Sequence, residues 1–121
     1  HFYTENHRIL PAAVATLRAE NLDAFGALVD RSQRAAEALL GNQVPETSFL
    51  AREARRRGAV AASAFGAGFG GAVWALVPED AAPRFRADWA AAYAERFPGP
   101  ARNATFFIEH PGPAAFALHV R

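Results

Sequence analysis

The chain has 121 residues, enough for one domain with a real core and no more. It is 51% apolar and 21% charged with a net charge of +1, which excludes extended disorder and any long-range field that would draw it onto nucleic acid or an anionic bilayer. The absence of Cys excludes disulfide scaffolds, zinc ribbons, iron–sulfur sites and thiol catalysis, and because all 13 basic residues are Arg, a complete P-loop, a Schiff-base enzyme and a protein kinase are excluded as well.

The chain opens on His1 and contains no Met, so it is read as a processed protein or a piece of a longer one, and no signal peptide opens it. Residues 4 to 18 carry Ile9, Leu10, Val14 and Leu17 at helical spacing, with Pro11 bending the segment or lying in its first turn. Asn21 is the expected N-cap of a helix from Leu22 to Leu40, with Leu22, Phe25, Val29, Ser32, Ala36 and Leu39 as its inner stripe and Gly41-Asn42 as its stop. Pro45 and Glu46 open a third helix that ends at Arg55-Arg56-Arg57-Gly58.

From Ala59 the texture changes to strand, glycine loop, strand: Ala59 to Phe65, Gly66 to Gly71, then Ala72 to Val77. Residues 80 to 96 return to a helical period with Phe85, Trp89, Ala92 and Tyr93 inward, and Phe97-Pro98-Gly99-Pro100 breaks it. A last strand is expected from Ala104 to Glu109, with Phe106 and Ile108 on one face and Phe107 on the other. The order predicts an α+β, ferredoxin-like domain over residues 1–121, with helices packed on one face of a small antiparallel sheet. Its expected core comprises Leu22, Phe25, Val73, Leu76, Trp89 and Phe106.

Gly66, Gly68 and Gly71 satisfy G-x-G-x-x-G literally, yet a dinucleotide fingerprint must open a helix, and here a second β-like run follows. What remains is a backbone free to adopt positive φ and bring its N–H groups close to a phosphate or another loop, or a tight turn between strands. The stretch from Gly58 to Val77 is uncharged for 20 residues, but it is mostly Ala and Gly with glycines clustered at its centre, so no membrane span is expected.

Ala64-Phe65-Gly66-Ala67-Gly68-Phe69-Gly70-Gly71, followed by Ala75-Leu76-Val77, resembles the third conserved motif of galactokinases in the GHMP small-molecule kinase family. The flanks agree in order. HFYTENHR at His1 to Arg8, Leu22 to Ser32, Val44-Pro45-Glu46, and Phe107 to Ala114 resemble successive family stretches. The resemblance implies the C-terminal domain of an enzyme that transfers the γ-phosphoryl group of ATP, with Mg²⁺, to the anomeric hydroxyl of galactose or a related hexose in the cytoplasm. It places the phosphate-cradling loop and the catalytic Asp in an upstream domain, so none of the residues here is catalytic. Gly66, Ala67, Gly68, Phe69, Gly70 and Gly71 are then supporting groups of the sugar and nucleotide cleft. By itself the chain is expected to be inactive, to bind ATP weakly or not at all, and to self-associate through the surface that docks the upstream domain.

The chain also departs from the family's pattern. Ser63-Ala64-Phe65 stands where galactokinases carry Arg-Met-Thr or Arg-Met-Ser, Ala72 where Cys is common, and Ser32-Gln33-Arg34-Ala35 replaces Ser-His-x-Ser, which leaves the sugar open. The alternative reading is a free-standing ferredoxin-like module that uses its sheet face and glycine loop for a small ligand or for dimerisation.

Elsewhere the bland readings prevail. The His residues at 1, 7, 110 and 119 have no metal-ligand spacing, so no metal is expected; His7 reads as solvated or capping and His110 as a turn residue. Arg52, Arg55, Arg56 and Arg57 read as a solvated helix terminus, not a nucleic-acid surface. Asn103-Ala104-Thr105 reads as a chance glycosylation sequon, and Phe85, Trp89 and Tyr93 as core.

Overall fold

A short antiparallel hairpin lies at the centre of the chain, joining β1 (Ala61–Phe65) to β2 (Ala72–Leu76) in the register Ala61↔Leu76 through Phe65↔Ala72. A computed structural model describes residues 1–115; His119 and the rest of residues 116–121 lie outside the described residues. Around the hairpin run α1 (Phe2–Thr4), a π-helical turn (Glu5–Ile9), α2 (Leu10–Arg18), α3 (Leu22–Ala35), a second π-helical turn (Ala36–Leu40), α4 (Pro45–Arg56), a 3₁₀ turn (Glu79–Ala81), α5 (Ala82–Arg96) and α6 (Pro98–Ala101). This is the α+β architecture that the element order implied.

Local signals set the helix ends. The Asn21 side chain accepts the Ala24 N–H at 3.0 Å, which satisfies one of the free donors at the start of α3. That helix continues through its π-helical turn to Gly41, whose φ of 60° ends it. At α4, extended Val44 precedes Pro45, and its N–H donates to Thr47 Oγ1 at 3.3 Å. Pro11 does not break the first helix, because it falls in the opening turn of α2, directly after a π-helical turn.

The core forms where α4 and α5 cover one face of the hairpin. Ala54, Ala59, Ala62 and Trp89 make a buried cluster, with Leu50, Val73, Ala75, Val77, Phe85 and Phe106 packed against it. Val73, Ala75 and Val77 alternate along β2, as strand period requires for one face. Trp89 also donates its indole N–H to the Leu50 carbonyl at 3.1 Å, which satisfies the one polar atom that its burial would strand. The Phe106 ring meets Trp89 edge-on at 5.3 Å.

Several expectations need correction. Ala104 to Glu109, expected as a strand, joins no ladder among the described residues, although Phe106 packs inward while Phe107 stays 70% exposed. Leu22 is 44% exposed and is not core. Of the first helical stripe only Ile9 is buried, since α2 lies against α3, and that contact leaves Leu10, Val14 and Leu17 outside.

Arg52, Arg56 and Arg57 are exposed at the helix end as expected, but half-buried Arg55 is not solvated and Arg56 and Arg57 are paired. Arg55 donates to both carboxylate oxygens of Asp30, at 2.9 and 3.1 Å, and to the Ala59 and Val60 carbonyls at 2.5 Å each. Buried Glu53 accepts two hydrogen bonds from Arg56, at 2.8 and 2.5 Å, and one from Arg57 at 2.7 Å.

The hydrogen bonds from Arg56, followed by those from Arg57, hold the Glu53 carboxyl below its ordinary value of 4.5, against the opposing effect of burial. A folded-state pKa below the unfolded one contributes stability that is complete above the ordinary value and is lost as pH falls through the folded one. Glu53→Gln should therefore lower the melting temperature at pH 7 and flatten the acid limb of the stability curve. Thermal melts of both chains should converge once the pH has fallen below the folded-state value of Glu53; a constant difference across pH would reject the assignment.

Candidate functional site

The loop from Gly66 to Gly71 joins β1 to β2 with five of its six residues at positive φ: Gly66 91°, Gly68 90°, Phe69 59°, Gly70 116° and Gly71 99°. Four of the five are glycines, as the missing Cβ makes such angles accessible. Phe69 is the exception. A left-handed conformation at a residue with a side chain costs about 1–3 kcal/mol unless its surroundings hold it. Asn42 supplies that hold, for its carbonyl accepts the Phe69 N–H at 2.5 Å and its side-chain amide donates to the Ala67 carbonyl at 3.2 Å.

The glycines divide into two groups by what surrounds them. A Cβ built on Gly68 would run into the Asn42 carbonyl and side chain, whereas one on Gly66, Gly70 or Gly71 would meet open space. Gly68 thus allows the loop to dock on its own domain, and the other three leave a bare backbone surface facing outward. Phe69 is 75% exposed and Phe65, at the end of β1, is 58% exposed. Leu39 and Leu40, just before Asn42, are also exposed.

Behind the loop lies a polar network centred on Gln33 of α3, which is 6% exposed. Its Oε1 accepts from the Ala64 N–H at 2.9 Å and the Ser63 hydroxyl at 3.0 Å, so the last residues of β1 are tied to α3. Its Nε2 donates to Glu37 at 3.0 Å and to Gln43 at 3.5 Å. Gln43 in turn donates to the Asn42 side chain at 3.2 Å and accepts from Thr47 at 3.0 Å. One chain of hydrogen bonds therefore runs from the N-terminus of α4 through Gln43 and Gln33 to the entry of the loop.

Gly66 to Gly71 carry no ionisable, nucleophilic or proton-transferring side chain, so the loop can shape a cleft and offer backbone N–H groups but cannot perform acid–base chemistry. Among the described residues, no three His, Cys, Asp or Glu side chains converge to hold a metal ion. His110 lies 4.0 Å from Glu79, and His7 stacks on Tyr3 at 4.5 Å. No described helix is long and apolar enough to cross a membrane. Phe85, Trp89 and Tyr93 belong to the core as expected.

Sequence reasoning missed Asn42, read as a stop signal, and missed the structural role of Gln33, seen there as a departure from a pattern. The available signal was a glutamine next to the inner stripe of α3, since a buried polar side chain is the informative exception on an apolar face. Gln33→Leu would leave the Ala64 N–H and the Ser63 hydroxyl without their acceptor, at a cost of about 1–3 kcal/mol. Gln33→Glu, made together with Glu37→Gln so that no second carboxylate faces it, keeps an acceptor for both. Chemical denaturation should show the leucine variant clearly less stable than the glutamate variant, and equal losses would mean that the network does not hold β1.

The model of the family described as "GHMP kinases C terminal" matches residues 13–95 and so includes the loop and both strands. The chain is 39% identical over 82 residues to proteins named galactokinase from Mycobacterium tuberculosis (strain ATCC 25618 / H37Rv) and Mycobacterium bovis (strain BCG / Pasteur 1173P2). The match covers 68% of this chain and 22% of each relative. A hairpin with a docked glycine loop, packed on helices and matched over most of its length by that family, places the chain among the GHMP kinases, as their galactokinase-like C-terminal domain.

Proposed function

We propose that the chain is the C-terminal part of a galactokinase-like, ATP-dependent sugar kinase that phosphorylates the anomeric hydroxyl of galactose or a related hexose. The 39% identity to galactokinases, over an extent comparable to the matched domain, carries this reading. Because that match spans 22% of the relatives' length, the catalytic step is assigned to the protein's remaining part. There the sugar hydroxyl oxygen attacks the γ-phosphorus, the bond to ADP breaks, and the hydroxyl proton passes to a base outside this chain.

The described residues do not form a nucleotide–metal site by themselves. The loop carries no cation, one of its amides is already donated to Asn42, and no cluster of carboxylates stands ready for Mg²⁺. The role proposed for Gly66 to Gly71 is therefore support: their open backbone lets a phosphate-binding loop of the upstream domain approach closely and shapes the sugar and triphosphate cleft. Phe65, Phe69, Leu39 and Leu40 surround that approach and supply apolar area for domain docking. A cytoplasmic location goes with this reading.

Two outcomes follow for the isolated chain. Calorimetry should find no ATP binding near micromolar affinity, because the helix-terminus amides and metal ligands that hold a triphosphate are not here. Sedimentation at high concentration should show self-association through the exposed apolar side chains; a strict monomer would count against the docking surface.

In the whole kinase, Gly68→Val should lower turnover at least about tenfold, or roughly 1.4 kcal/mol of transition-state stabilisation, with a modest change in melting temperature. The added side chain displaces the loop from half-buried Asn42 and leaves the Trp89 core alone. Full activity, or outright failure to fold, would make the loop a structural turn only.

A further inference from the structure

The glycine loop is held at two points, and the two holds are the ends of one chain of hydrogen bonds. At the entry the Ala64 N–H donates to Gln33 Oε1 at 2.9 Å, and in the middle the Ala67 carbonyl accepts from Asn42 Nδ2 at 3.2 Å. Between them Gln33 Nε2 donates to Gln43 Oε1 at 3.5 Å, and Gln43 Nε2 donates to Asn42 Oδ1 at 3.2 Å. The chain leaves β1 at Ala64, crosses α3 and the connection into α4, and returns to the loop at Ala67.

Its direction is fixed from both ends. A backbone N–H can only donate and a backbone carbonyl can only accept, whereas a side-chain amide has one end of each kind. Ala64 therefore takes the oxygen of Gln33 and Ala67 takes the nitrogen of Asn42, which leaves Gln43 one orientation between them. The side branches agree with it: Gln33 Nε2 also donates to Glu37 at 3.0 Å, and the Thr47 hydroxyl donates to Gln43 Oε1 at 3.0 Å. Three amide dipoles aligned head to tail polarise one another, so the chain holds more firmly than its separate links.

We propose that Gln43, acting through Asn42, is a positioning residue of the kinase cleft. It makes the entry and the middle of the loop move as one body, so that the bare backbone of Gly66, Gly70 and Gly71 meets the upstream domain in a single arrangement. The fold itself does not need this link. Without Gln43, Gln33 Nε2 keeps Glu37, the Thr47 hydroxyl keeps the Val44 carbonyl at 3.1 Å, and Asn42 is only half-buried, so no buried group is left stranded. The contribution of Gln43 is therefore order in the loop. This inference rests on the kinase reading and adds to it the residue that sets the loop's arrangement.

The test is made in the whole kinase. Gln43→Met keeps the length of the side chain and removes its amide; turnover with galactose should fall at least about fivefold, with KM for ATP within about twofold and the melting temperature within about 2 °C. Asn42→Ala should lower turnover at least about tenfold, and the double variant should fall no further, since the one residue acts through the other. Amide hydrogen exchange over residues 61–71 should speed at least about fivefold in each variant while α5 is unchanged. Losses that multiply in the double variant would make Gln43 independent of Asn42 and overturn the proposal. Faster loop exchange with full turnover would make the link structural only and overturn it too, and unchanged exchange in Gln43→Met would do so even if Asn42→Ala fails to fold. An unmutated protein that phosphorylates no hexose would instead overturn the kinase reading and with it the cleft role, and the exchange result would still decide whether Gln43 orders the loop.

Discussion

Among the described residues the outer edge of β1 is closed by side chains, not by another strand, and the placement of the glycine loop follows from that closure. Unpaired strand edges present backbone groups that must find partners. Here Arg55 takes the Ala59 and Val60 carbonyls at the approach to β1 while its own charge is matched by Asp30. Gln33 takes the Ala64 N–H near the end of the strand. Close approach of α3 makes this geometry possible, since a Cβ on Gly26 would strike the Val60 carbonyl. A larger residue at that position would push α3 off the edge and draw Gln33 away from the loop.

The loop inherits this rigidity from both sides. Its entry is tied to α3 through Gln33, and its middle is tied through Asn42 to the connection that leads into α4. Docking is what allows Phe69 to keep a left-handed backbone with its ring outside. An unsupported loop with five positive-φ residues would sample many conformations, and Phe69 would lose most by keeping this one. The polar network thus orders a loop that has no reactive group of its own, which suits a surface whose task is shape.

What the sequence revealed, and what it hid, divides along the range of the interactions. Asn21, Gly41, Pro45 and Gly58 act within a few residues of where they stand, and the helix ends that they mark were legible. The two strands and the loop between them were legible from composition, as was the inward face of Phe85, Trp89 and Tyr93. Hidden were the pairings of Gln33 with Ala64 and of Asn42 with Ala67, 31 and 25 residues apart, because no local pattern announces such a partner. Arg55 was misread for the same reason: charge at a helix end looks solvated until Asp30, 25 residues before Arg55, is brought beside it.

The segment after α6 shows what a ladder requires. Ala104 to Glu109 has strand composition, and Phe106 anchors it to the aromatic cluster of α5, yet among the described residues it pairs with nothing. Alternating side chains determine which face a segment buries; pairing needs a neighbour at about 4.8 Å in the plane of the sheet. Phe106 satisfies the first condition through contacts to Trp89 and Tyr93, and among the described residues no neighbour meets the second. Packing against a helix and membership of a sheet are independent properties of this segment. Its own sequence can specify the first, and the second depends on a neighbouring strand.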